Sequence, residues 1–79
     1  MIILLDREKI ETKVLEILNE DVDLFNEVKV HNDKYCNISL YDSYDELIKP
    51  LEKEFDLNLL FTCFYNGLYW IHLEQNEVE

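Results

Sequence analysis

The chain has 79 residues, 48% of them hydrophobic, and carries 18 Asp and Glu against 7 Lys and Arg, a formal net charge of −11. That surplus argues against nucleic acid as a direct partner, because a phosphate backbone recruits cations and repels carboxylates. One Gly and one Pro in so apolar a chain argue against disorder and point to one small domain over residues 1–79.

A chain of this length buries only about 60% of its unfolded surface, so its stability is expected to be marginal and dimerisation would add to it. Met1 to Leu5 is apolar but lacks a basic lead and stops at Asp6, which does not read as a secretory leader. No run approaches the roughly 18 apolar residues of a membrane span. Two cysteines make no disulfide framework. Composition therefore predicts a cytoplasmic protein with reduced thiols and no membrane partner.

Ile2 to Leu5 reads as a short buried strand. Asp6 then caps a helix whose buried face is Ile10, Val14, Ile17 and Leu18, with Glu11, Glu16 and Glu20 mainly toward solvent. The helix ends near Asn19-Glu20-Asp21, with Val22, Leu24 and Phe25 docked as an irregular turn, or it continues to about Asn26.

Val28 to Asp42 reads as a hairpin. A three-residue loop, Asn32-Asp33-Lys34, sets Val30 opposite Cys36 and Val28 opposite Ile38; a two-residue loop sets Val30 against Tyr35, on the wrong face. Ser43-Tyr44-Asp45-Glu46 has the form of a capping box, opening a helix that buries Leu47, Ile48, Leu51 and Phe55. Pro50 either kinks that helix or marks where it restarts after a short turn.

Leu59 to Glu74 is the strongest hairpin signal, with Asn66-Gly67 as a type I′ turn. That register places Leu60, Thr62, Phe64, Tyr69, Ile71 and Leu73 on one face. Phe61, Cys63, Tyr65, Leu68, Trp70 and His72 occupy the other. A helix followed by a hairpin occurs twice, a weak topological echo. The predicted fold is α+β: an antiparallel sheet with two helices packed on one face, in the order β-α-β-β-α-β-β.

Four features are candidates for function. Glu16, Glu20, Asp21, Asp23 and Glu27 form an acidic run without a basic residue after Lys13. Asp42, Asp45, Glu46, Glu52, Glu54 and Asp56 form a second group, diluted by Lys49 and Lys53. Such charge is drawn to a basic groove, or it is a hydration coat that keeps a small domain dispersed. The aromatic hairpin is the second feature: if helices cover one face, Phe61, Tyr65, Leu68 and Trp70 are left exposed as an interface, unless the fold or a second copy covers them.

His31, Cys36, Cys63 and His72 are a zinc-compatible inventory, but neither pair has zinc-finger spacing, and buried cysteines with strand-end histidines are the simpler reading. No metal or cofactor is expected. A Cys63–His72 nucleophile lacks an orienting third group, and a single Gly supplies no phosphate-cradling loop, so the chain does not read as an enzyme.

In size and charge the chain resembles the small acidic inhibitors that phages use against host nucleases, including anti-CRISPR and anti-restriction proteins. The resemblance rests on composition and transfers no residue. It implies a stoichiometric inhibitor that imitates nucleic acid and occupies a basic site on a nuclease or other nucleic-acid-binding protein. Glu16, Glu20, Asp21, Asp23 and Glu27 are then the electrostatic footprint, with Tyr65 and Trp70 as anchors. The alternative is an interaction or homodimerising module that uses the aromatic face or a sheet edge.

Overall fold

A computed structural model describes residues 4–76 of the chain. Asp6 starts the first helix as expected, its carboxylate accepting the Glu8 and Lys9 backbone N–H groups at 2.9 and 3.4 Å. Helix α1 (Arg7–Ile17) buries Ile10 and Val14, and Leu18 follows them into the core. It ends where Asn19 and Glu20 take left-handed φ values of 57° and 61°. The Glu20 N–H then bonds back to the Leu15 carbonyl at 2.7 Å. Residues 21–24 form a turn, so the helix does not continue to Asn26.

Strands β1 (Phe25–His31) and β2 (Tyr35–Leu40) pair antiparallel in the predicted register, Val30 with Cys36 and Val28 with Ile38. Asn32 and Asp33, at φ 53° and 55°, turn the chain between them. The capping box expected at Ser43 does not form. The Ser43 N–H is taken by Asp42 Oδ1 at 2.8 Å, and Tyr44 precedes a 3-10 turn (Asp45–Leu47) with no side-chain cap. Helix α2 (Ile48–Phe55) follows, so the restart reading is the one that fits. Pro50 lies in its first turn, where a missing N–H costs nothing because that donor has no partner within the helix.

Strands β3 (Leu57–Tyr65) and β4 (Leu68–Gln75) meet at Asn66-Gly67, with φ of 55° and 78° as a type I′ turn demands. Tyr65 pairs with Leu68, Cys63 with Trp70 and Phe61 with His72, as predicted. One expectation fails in this hairpin. A bulge between Leu59 and Phe61 sets Leu59 opposite Leu73, so Leu59 packs on the core and Leu60 is exposed. An extra residue flips every side chain upstream of it to the other face.

The sheet order is β1-β2-β4-β3, with β2 and β4 antiparallel at its centre and Ile38 opposite Ile71. The described elements therefore run α-β-β-α-β-β, two αββ units joined through their second strands. The opening strand expected over Ile2–Leu5 lies largely outside the described residues. Leu4 and Leu5 are not in a strand, and Leu5 is buried in the core. Both helices cover one sheet face. Between the layers lie Ile10 and Val14 of α1, Leu51 of α2, and Val28, Cys36, Ile38, Leu40, Ile71 and Leu73 of the sheet.

Ile71 has no exposed surface and sits between Ile38 and Thr62 on the central strand. Ile71→Ala is expected to cost about 3 kcal/mol, the usual penalty for such a core truncation. It should appear as a lower urea midpoint at an unchanged m-value.

Candidate functional site

The topology decides where the charge goes. Strand β2 returns to the end of the sheet where β1 began, so the connection after β2 lies beside the connection before β1. A hydrogen bond from the Tyr41 N–H to the Leu24 carbonyl, at 2.9 Å, ties the two together. The β3–β4 turn arrives at the same end, because β4 starts opposite Leu40.

Residues 18–24 carry Glu20, Asp21 and Asp23 and no cation. Residues 41–47 carry Asp42, Asp45 and Glu46, again with no cation. By contrast, α1 holds three acidic and three basic residues, and α2 two of each, so both helices are neutral. Six of the eleven net negative charges thus come from two adjoining loops.

Some of these carboxylates also build the loops. Asp21 accepts the Asp23 N–H at 3.2 Å, Asp42 accepts the Ser43 N–H at 2.8 Å, and Asp45 accepts a short hydrogen bond from the Tyr69 hydroxyl. The side chains of Glu20, Asp23 and Glu46 have no hydrogen-bond or ion-pair partner among the described residues. Glu16 and Glu27 lie at this end too, each 3.7 Å from a lysine, Lys13 and Lys29 respectively. Exposed pairs at that distance contribute little.

Of the two expected anchors, Tyr65 is the more exposed and stands at the hairpin tip. Trp70 is half-buried, and its indole N–H donates to the Tyr65 carbonyl at 3.1 Å. It belongs to a stack on the helix-free face. Phe61 lies 4.2 Å from His72 between ring centroids, and Trp70 lies 6.3 Å from His72.

With its proton on Nδ1, His72 donates to Asn37 Oδ1 at 2.9 Å, while Asn37 Nδ2 donates to His31 Nε2 at 3.2 Å. Burial pushes the His72 pKa down, so the ring favours its neutral form. Cys63 shares this face, and Cys36 points into the core. Among the described residues no three His, Cys, Asp or Glu side chains converge as metal ligands. No helix there is long and apolar enough to cross a membrane. A groove between the helices, lined in part by Lys9, Lys13, Glu16 and Glu54, is mixed in sign and directs no set of groups at a common point.

Reading residues in chain order misses Asp42, Asp45 and Glu46 as neighbours of Glu20 and Asp23, and misses the exposed Phe64, Tyr41 and Val22. Hairpin polarity was the available signal: a strand that returns brings its following loop back to the start.

The Tyr69 hydroxyl holds residues 41–47 against β4. Burial first, and then the Asp45 carboxylate, raise the Tyr69 pKa above its ordinary 10.0. The folded state therefore retains a proton that the unfolded chain loses, and stability falls as pH rises past 10.0. Tyr69→Phe is expected to flatten that alkaline loss, cost about 1 kcal/mol at neutral pH, and quicken amide exchange in residues 45–47.

Compared with protein-family models, curated proteins and solved structures, the chain gives no match.

Proposed function

We propose that this protein is a stoichiometric inhibitor acting in the cytoplasm, of the anti-CRISPR or anti-restriction kind. It presents its acidic end to a basic nucleic-acid site on a nuclease or another nucleic-acid-binding protein. The observation that carries this reading is the gathering of six carboxylates on two hydrogen-bonded loops free of cations, while both helices stay neutral. A hydration coat needs no such concentration. The two loops leave neighbouring strands about 4.8 Å apart, so their carboxylates share one end of the molecule.

Glu20 supports the same reading. Its φ of 61° suits glycine, and holding a side chain there costs on the order of 1 kcal/mol. A carboxylate kept at a strained position, without an internal partner, favours a role outside the fold. The protein works by occupancy and performs no chemistry of its own. Val22 and Tyr41, exposed on the same two loops, add apolar contact within the charged patch.

The test is capture on the immobilised chain at low salt, with elution by salt and by competing duplex DNA. A nuclease or other nucleic-acid-binding protein should elute under both. Raising the salt should weaken binding steeply, and a Glu20→Lys, Asp23→Lys, Glu46→Lys variant should abolish it. Glu20→Gly should stabilise the fold by about 1 kcal/mol yet weaken binding. Binding indifferent to salt, to the reversals or to DNA would defeat the proposal.

The exposed rings of Phe61 and Tyr65 favour a second reading, an interaction module that uses the aromatic hairpin. In that case Tyr65→Ala damages binding more than the triple reversal does.

A further inference from the structure

Among the described residues no strand pairs beyond either edge of the sheet, but the two edges are protected unequally. Edge β1 carries a bulge between Phe25 and Glu27 and two charges, Glu27 and Lys29. Edge β3 is protected only at its start, where the Leu59 N–H donates to Glu52 Oε2 at 3.0 Å and the bulge at Leu60 follows. From Phe61 to Tyr65 it has no charge, no proline and no bulge. In a two-residue hairpin the closing pair, Tyr65 with Leu68, exchanges hydrogen bonds. Cys63 and Phe61 then also bond toward β4, and Thr62 and Phe64 turn their N–H and C=O groups outward. An edge of this kind is a template for another strand.

We propose that the strand it accepts is the β3 of a second copy of this chain, paired antiparallel about a twofold axis at Cys63. The open stretch 61–65 is centred on Cys63. The register that uses all of it pairs Thr62 with Phe64 of the second copy, Phe61 with Tyr65, and Cys63 with Cys63. The two cysteines then form a non-hydrogen-bonded pair with Cα atoms about 4.5 Å apart. Two aromatic pairs flank them on the helix-free face.

Charge selects a second copy over a foreign strand. Residues 57–73 contain no Asp, Glu, Lys or Arg, so two chains of net −11 meet where neither is charged. Antiparallel pairing also points the two acidic ends in opposite directions. The exposed apolar side chains lie along the same edge. Leu60, Phe61, Phe64 and Tyr65 are 44%, 52%, 63% and 68% exposed. Together they offer on the order of 400 Å² per copy, at most about 800 Å² for the pair, the size of a weak, concentration-dependent contact.

Sedimentation equilibrium of the full chain in reducing buffer tests this, together with a short bismaleimide cross-linker. The expected mass is twice 9.6 kDa, falling to 9.6 kDa in Phe64→Lys, which gives up the 5.1 Å ring contact with Tyr69 and is expected to keep the far-ultraviolet circular dichroism of the wild type. The cross-linker should yield covalent dimer from the wild type and from Cys36→Ser but none from Cys63→Ser. Cys36 is buried, with its thiol pKa pushed up to about 12, and contributes no background. A monomer at every concentration, a dimer that survives Phe64→Lys, or one that fails to cross-link through Cys63 overturns the proposal. None of these outcomes bears on the acidic end, whose charge reversals leave the sedimentation mass unchanged.

Discussion

The structure depends on one seam, the antiparallel pairing of β2 with β4. Each αββ unit makes a helix and a two-stranded ribbon, and neither is expected to stand alone in water. The seam converts two half-sheets into one face of four strands, broad enough for both helices to bury against. Ile38 and Ile71 meet across it with no exposed surface, and Cys36 and Leu73 pair beside them, equally buried. The same seam brings the turn between β3 and β4 to the end of the molecule where the two acidic loops already lie.

Charge and apolar surface are separated along the chain as well as in space. The loops around Glu20 and Glu46 hold most of the uncompensated charge, whereas the second hairpin holds none between Leu57 and Leu73. This division lets one small domain keep a strongly negative pole without weakening its sheet. Carboxylates placed on exposed loops stay hydrated, and their mutual repulsion is screened within about 8 Å at physiological salt. Placed along a strand, the same groups would face one another directly and oppose pairing.

Where residue type alone dictated geometry, the sequence was legible. Asp6 capped its helix, Asn66-Gly67 set the second hairpin, and alternation of Val28, Val30, Cys36 and Ile38 fixed the first hairpin's register. Local signals failed where another contact competed with them. Ser43 has the composition of a cap, yet Asp42 takes its N–H first, and the chain enters a 3-10 turn. The bulge at Leu60 was invisible because leucines at 57, 59 and 60 satisfy either face. Of the candidate site, the acidic run and Tyr65 were visible as residues. Their meeting with Asp42, Asp45 and Glu46 was not, since it follows from strand order and not from spacing.

The central position of β4 has a consequence for biogenesis. It follows every other described element in the chain, so on the ribosome the middle of the sheet is the last part to emerge. Until then α1, the first hairpin and α2 surround a cleft whose floor and walls are greasy, with β3 unpaired at its margin. A nascent chain in that condition, before β4 has emerged, is a natural client for a holdase.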